Sequence, residues 1–338
     1  MPVTINEVAK EAGVSITTVS RVLNNNYPVK KETRERIEEA IKKLNYKPNI
    51  MARGLITKKT SVVGVVVPGI TNLFFSTIVE SIENQLKKFG YNIFLSNTGA
   101  SINELDVIAD VMARQVDGII IIDPPIDEEK EKYYEKISTE IPMIVVNGDT
   151  APKSYNSVSY DEERGTMDAF EYLTQLGHSK ILFIRGNQSL SYDIKEKVYN
   201  QVVEDNNFRY RKVLNVGDGN SIEVVEKTET EFEKFINNNE KPTAVFACND
   251  LMALGVLNIC SKCGIRVPDD MSIIGFDNTL ISNITRPRIT SVDQNMIEVA
   301  QRAACSLIKL IDDNNKSHVK INLKTRLIYK ESCSEIKF

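Results

Sequence analysis

The chain of 338 residues has no tryptophan, two histidines, no long apolar run and an odd set of five cysteines, and each shortage excludes something. The longest apolar stretches, such as Val62–Val67 and Ile119–Ile122, fall far short of the ~18–20 residues a membrane helix needs, so no membrane partner is expected. Met1-Pro2-Val3-Thr4-Ile5 places no basic segment ahead of an apolar core, so the chain reads as lacking a signal peptide and as cytoplasmic. His178 and His318 cannot build a His-rich centre, and neither a metal nor a cofactor is expected. Cysteines scattered over 248–333 argue against a disulfide framework. Cys260-Ser261-Lys262-Cys263 lacks a second pair or a nearby His, and reads as core cysteine rather than as ligands. No Walker A, GxSxG or HExxH string occurs, and Gly217-Asp218-Gly219-Asn220 reads as a turn. With no nucleophile–base pair, an enzyme is not expected.

What is present is globular: 42% apolar and 26% charged residues, enough for two or three domains. The net charge of −4 hides a split. Residues 1–60 hold 12 Lys/Arg against 6 Asp/Glu, and the rest hold 30 against 40. A basic end on an acidic body is the footprint of a nucleic-acid-binding head.

That head has a helical pattern. Thr4-Ile5-Asn6-Glu7 is a capping box, Val8, Ala9 and Ala12 form an apolar stripe, and Gly13 can take the positive φ that ends a helix sharply. Ser15 starts a second helix whose inward face is Val19, Val22 and Leu23. Its outward face, Ile16, Thr17, Ser20 and Arg21, carries short or donor-bearing side chains suited to base edges and phosphates. A third helix is expected over about Lys31–Leu44, capped by Thr33 or a neighbour, with Ile37, Ile41 and Leu44 inward. Two short helices on a glycine turn make a helix-turn-helix.

Beyond Val62 the chain alternates apolar strands with amphipathic helices. Strands are expected at Val62–Val67, Ile93–Ser96, Gly118–Ile122 and Met143–Val146. A second set follows at Ile181–Ile184, Val213–Val216, Ala244–Ala247 and Ser272–Phe276. The fold class is therefore an N-terminal all-α helix-turn-helix head plus an α/β body of two doubly wound parallel-sheet subdomains. Ligands in such sheets sit at the carboxyl ends of the strands, and Asp250 and Asp277 fall just after apolar strands. Asp250 reads more simply as the cap of the next helix.

The run Thr4-Ile5-Asn6-Glu7-Val8-Ala9-Lys10-Glu11-Ala12-Gly13-Val14-Ser15-Ile16-Thr17-Thr18-Val19-Ser20-Arg21-Val22-Leu23-Asn24 resembles the DNA-binding head of the LacI/GalR family of bacterial transcription regulators. The match continues through Thr33-Arg34 and Leu44-Asn45-Tyr46-Lys47-Pro48-Asn49 and extends over essentially the whole chain. The resemblance implies a type I periplasmic-binding-protein-like body. It implies a division into 1–48 (DNA-binding), 49–60 (hinge helix and linker) and 61–338. The last would split into an N-subdomain of about 61–161 and 292–323 and a C-subdomain of about 162–291 and 324–338. Double-stranded operator DNA would be touched by Thr4, Ser15, Ile16, Thr17, Thr18, Ser20, Arg21, Asn24 and Tyr46. Asn49, Ala52 and Leu55 would follow in the hinge, with Leu55 wedged into the minor groove. The effector site would comprise Asn72, Phe74, Phe75, Asp161, Lys195, Asn249, Asp277 and Gln294.

Lys195 stands where the family usually has an effector-clamping Arg, Val198 replaces a typical Gly, Gly148 a usual basic residue, and Gly219 a frequent aromatic. Lys195 offers a point charge, so a phosphorylated or carboxylated sugar is as plausible as a neutral one. The missing Trp and Gly219 argue against a stacked nucleobase. The expected function is a homodimeric transcriptional regulator, read as a repressor, whose operator affinity answers to a small sugar-like metabolite. The alternatives are a solute-binding protein and a regulator controlled by a partner protein.

Overall fold

The computed structural model describes residues 3–24, 27–46, 59–99, 103–125, 127–147, 149–151, 153–187, 189–238, 241–312 and 318–336. Its contacts divide the chain into two units, Met1–Thr60 and Ser61–Phe338.

The first unit contains helices α1 (Ile5–Ala12), α2 (Ile16–Asn24) and α3 (Lys31–Lys43). Glu7 closes the capping box by accepting from the Thr4 amide (2.7 Å) and hydroxyl (3.0 Å). Gly13 ends α1 at φ 63°, a conformation that side chains beyond glycine take only under strain. Arg36 donates to the Ala12 carbonyl (2.9 Å) and so ties α3 to the end of α1. Val8, Ala9, Ala12, Val19, Val22, Ile37 and Ala40 are the buried centre, with Ile41 and Leu44 packed against it. The start of α3 differs from the sequence expectation. Lys30 precedes the helix without a side-chain cap, and Thr33 lies within the first turn. Expected DNA contacts Asn49, Ala52 and Leu55, and the side chain of Asn24, lie outside the described residues.

The second unit is built on two six-stranded sheets. The first, ordered β11-β5-β4-β3-β1-β2, comprises β1 (Val62–Val67), β2 (Asn92–Asn97), β3 (Gly118–Ile122), β4 (Met143–Asn147), β5 (Ser157–Tyr160) and β11 (Lys320–Leu323). The second, ordered β12-β10-β9-β8-β6-β7, comprises β6 (Ile181–Arg185), β7 (Lys212–Asn215), β8 (Ala244–Ala247), β9 (Ser272–Asp277), β10 (Thr290–Asp293) and β12 (Arg326–Ile328). Every pairing is parallel except β10 with β12.

Helices α4 (Leu73–Lys87), α5 (Glu104–Ala113), α6 (Glu128–Glu140) and α12 (Met296–Asp312) cover the first sheet. The second has α7 (Glu162–Gln175), α8 (Leu190–Asp205), α9 (Val224–Asn238), α10 (Asp250–Lys262) and the short α11 (Leu280–Ile284). The chain passes between sheets after β5, after β10 and between β11 and β12. The second crossing falls beyond Asp293, slightly later than the expected boundary at 292, because β10 keeps its pairing with β9 through Asp293↔Asp277.

The four short strands β5, β10, β11 and β12 lack the apolar runs that announce the others. β5, Ser-Val-Ser-Tyr, is nonetheless wholly buried because β4 and β11 flank it. In the CxxC, Cys260 is buried with its thiol 3.8 Å from the Met271 sulfur, while Cys263 is exposed at the end of α10.

Candidate functional site

Two sites need placing, one in each unit. In the head, Ser15 sits before α2 and its hydroxyl accepts from the Thr18 amide (3.2 Å), pinning the first turn. The Thr18 hydroxyl is also bonded to Ser15 (2.8 Å) and is half-buried. Ile16, Thr17 and Arg21 are exposed, while Val19 and Val22 face the core. Ile16 is 49% exposed and stands on the outward face beside Thr17. The Arg21 guanidinium lies 5.1 Å from the centre of the Tyr27 ring, so its rotamer is held without using its hydrogen-bond donors. Tyr46 is half-buried against the head core.

The body has a cleft of about 710 Å³ at the carboxyl ends of the strands of both sheets. Pro68, Thr98, Glu104, Asp123 and Pro124 line it from the first sheet, and Arg185, Asn187, Tyr192, Asn215, Asp218 and Asn220 from the second. None of the eight expected effector residues is on this lining. All but the half-buried Asp161 are buried, and most already have partners.

Three of the eight are helix caps. Asn72 accepts from the Phe74 amide (3.0 Å), Asp161 from the Arg164 amide (3.0 Å) and Asn249 from the Met252 amide (2.8 Å). Asn249 also donates to the Gly219 carbonyl (2.9 Å). Asp250, expected as the cap, instead accepts from the Thr279 amide (2.6 Å), the Thr279 hydroxyl (2.8 Å) and Ser291 (2.6 Å), and so fixes the loop after β9. Phe74 packs edge-on to Phe75 (5.1 Å) and Tyr160 (6.1 Å) as core.

Asp277 has φ 101°, well outside the usual range for a side-chain-bearing residue, and accepts from Gln294 Nε2 (2.9 Å). Burial, with Asp250 nearby, pushes its carboxyl well above the usual carboxylate range, and Lys195 offsets this only in part. Gln294 Oε1 and Glu162 Oε2 are buried without a hydrogen-bond partner among the described residues.

Glu162, which the sequence did not single out, decides the state of Lys195. The ammonium sits 2.5 Å from Glu162 Oε1 and 2.6 Å from the Ser191 hydroxyl, 4.0 Å above the Phe276 ring. Burial works against its charge, but Glu162 overrides that and the pKa rises. Lys195 is thus a charged group already paired, and the expectation that it offers a free point charge to a phosphate or carboxylate is corrected.

The neighbourhood of Gly219 is filled by a side chain from α8. A Cβ at Gly219 would meet the Tyr192 hydroxyl at 2.3 Å and Met252 Cε at 2.7 Å. Tyr192, reaching in from α8, fills the space an aromatic at 219 would need and is itself buried at the cleft wall. The signal that marked Asp277, a carboxylate directly after an apolar strand, marks Asp123 equally well. Asp123 and Glu104 line the cavity from the first sheet, with carboxyls pushed up to about 7 and about 6, mainly by burial.

A family model for bacterial regulatory proteins of the lacI family matches residues 4–49, and one for a periplasmic binding protein-like domain matches 170–333. Catabolite control protein A of Priestia megaterium is 36% identical over 98% of this chain and 99% of its own. The chain belongs to the lacI family of bacterial regulatory proteins. A lac repressor dimer bound to operator and the anti-inducer ONPF superposes with a TM-score of 0.86 at 27% identity, covering 99% of this chain and 100% of that one. The regulator CelR in complex with cellobiose matches at 0.70 and 26% identity, over 98% and 99%. Among the described residues no helix is long and apolar enough to cross a membrane.

Proposed function

We propose that this lacI-family protein is a sequence-specific DNA-binding transcriptional regulator, acting as a repressor. Its operator affinity would answer to a small sugar-like effector in the body cleft. The observation that carries the reading is the outward face of α2: Ile16, Thr17 and Arg21 stand exposed on a capped helix, in a head with a surplus of six positive charges. A helix that presents short side chains and one held guanidinium fits the major groove. Ser15, Thr18 and Ser20 supply hydroxyls around that face, and family resemblance adds Thr4 and Asn24 to the DNA-contacting set. The same resemblance gives Asn49, Ala52 and Leu55 to a minor-groove hinge.

A homodimer is the fitting assembly, since two heads read two half-sites. Leu280 and Ile284, one turn apart on α11, are 64% and 58% exposed, which suits a partner surface. In the cleft, Asn187, Asn215, Asn220 and Asp123 supply the mixed donors and acceptors that hydroxyl groups need, and Tyr192 an apolar face. Behind that wall Asn249 donates to the Gly219 carbonyl, and Gln294 to Asp277. The test is selection of bound duplexes from a random pool by the full-length protein. One enriched motif with two-fold symmetry is expected; retention without enrichment would refute sequence-specific binding.

A further inference from the structure

The described arginines of the head, Arg21, Arg34 and Arg36, are held in different ways. Arg34 faces Glu38 at 3.8 Å, and Arg36 donates to the Ala12 carbonyl (2.9 Å). Both are turned toward oxygens of the head itself. Arg21 is held by a ring instead, its guanidinium carbon 5.1 Å from the centre of Tyr27. Attraction to a ring face uses the charge of the guanidinium and leaves its N–H donors for another partner. Arg21 also stands one turn beyond Thr17, on the outward face of α2.

Tyr27 is not there to fill the core. Tyr46, the other tyrosine of the head, packs against that core, whereas Tyr27 is 63% exposed. Its backbone is nonetheless constrained on the far side. Pro28 follows it and keeps Tyr27 out of helical conformations, and Val29 is packed against the head core. The ring therefore stands on a braced stretch of chain ahead of α3, with the Arg21 guanidinium as its neighbour. A long side chain gives up rotamer freedom when it enters a DNA groove. One already held against a ring has given up part of that freedom beforehand.

We infer that Tyr27 is a positioning residue for base recognition: its ring presets the Arg21 side chain so that the guanidinium meets a base edge with its donors aligned. This rests on the proposal that the head reads operator sequence, and extends the reading apparatus to a residue outside α2. The ring face carries the effect, and the hydroxyl is not required.

The test is fluorescence anisotropy of the full-length protein on the selected duplex and on duplexes in which each base pair of one half-site is replaced singly. Wild type is set beside Tyr27→Leu, Tyr27→Phe, Arg21→Ala and the double variant Arg21→Ala/Tyr27→Leu. Tyr27→Leu should weaken binding to the selected duplex about 3- to 30-fold and relax preference at the same base position as Arg21→Ala. Tyr27→Phe, which keeps the ring face, should retain the wild-type pattern. In the Arg21→Ala background, Tyr27→Leu should change affinity by less than about twofold, because the two side chains act as one unit. A loss equal on all duplexes, a loss that adds in full to that of Arg21→Ala, or a Tyr27→Phe as weak as Tyr27→Leu overturns the positioning role and leaves a sequence-reading head standing. Far-UV circular dichroism of each variant should match wild type; a loss of helix in Tyr27→Leu would make the ring a part of the head fold and overturn the role as well. A selection that enriches no duplex overturns both the inference and the sequence-specific reading beneath it.

Discussion

In the head, the groups offered to a partner project outward from one helix, within seven residues of sequence. In the cleft, the groups offered to a ligand come from strand ends spread over more than a hundred residues, and those that most resemble a family site are the ones already paired. The difference is physical. DNA is met on an open surface, where side chains can stand in water unpartnered, so recognition residues remain what their sequence positions make them. A small ligand is met in a low-dielectric pocket, where each polar group must find a partner or bear a desolvation cost. There Lys195 is paired with Glu162, which reaches it from α7, and Tyr192 occupies the space beside Gly219.

The largest expected effect lies in the buried pair. Glu162→Ala leaves the Lys195 ammonium buried without its carboxylate and should destabilise the body by about 3–5 kcal/mol. Glu162→Leu combined with Lys195→Met should recover most of that loss. Urea unfolding of the three proteins separates the cases: if Glu162→Ala unfolds like wild type, Lys195 is not held as a buried ion.

On the head side, Arg21→Ala should weaken binding to the selected duplex by roughly 1–3 kcal/mol and relax preference at one base position. Uniform loss on all sequences would reduce Arg21 to a phosphate contact. Leu55→Ala should lower affinity and DNA bending together; unchanged bending in a circular-permutation gel would remove the wedge.

A smaller effect concerns Asp123. Its carboxyl is raised to about 7 by burial, then by Glu162, against the lowering influence of Lys195. Because the folded pKa is above the unfolded one, the stabilising contribution is complete below the ordinary carboxylate range and is lost as pH rises through about 7. Asp123→Asn, which mimics the protonated form, should therefore raise the Tm of the body at about pH 8 by a few degrees and change it little at about pH 4. A larger gain at the acid end would reverse the sign and the assignment.

The contrast also explains what the sequence made legible. Helix caps, the Gly13 turn and the apolar strands are local signals, so the head and the two sheets could be read directly. The short strands β5, β11 and β12 owe their place to neighbours rather than to their own residues. In the cleft, sequence reading found the strand-end positions Asn249 and Asp277. It could not show that Asn249 is occupied capping α10 or that Glu162 reaches Lys195 across 33 positions, because both facts depend on how α7, α8 and α10 come together. Asp123 was within reach by the same strand-end rule that marked Asp277.

The central claim is that a small ligand in the cleft changes how tightly the head holds its operator. The direct measurement is fluorescence anisotropy of the full-length protein on its selected duplex and on a scrambled one, with and without the tightest-binding sugar. The account predicts a steep fall of affinity with salt, clear preference for the selected duplex, and a ligand-induced change of about 5–150-fold on that duplex. Equal binding to both duplexes, or an affinity that a saturating cleft ligand leaves unchanged, would contradict it.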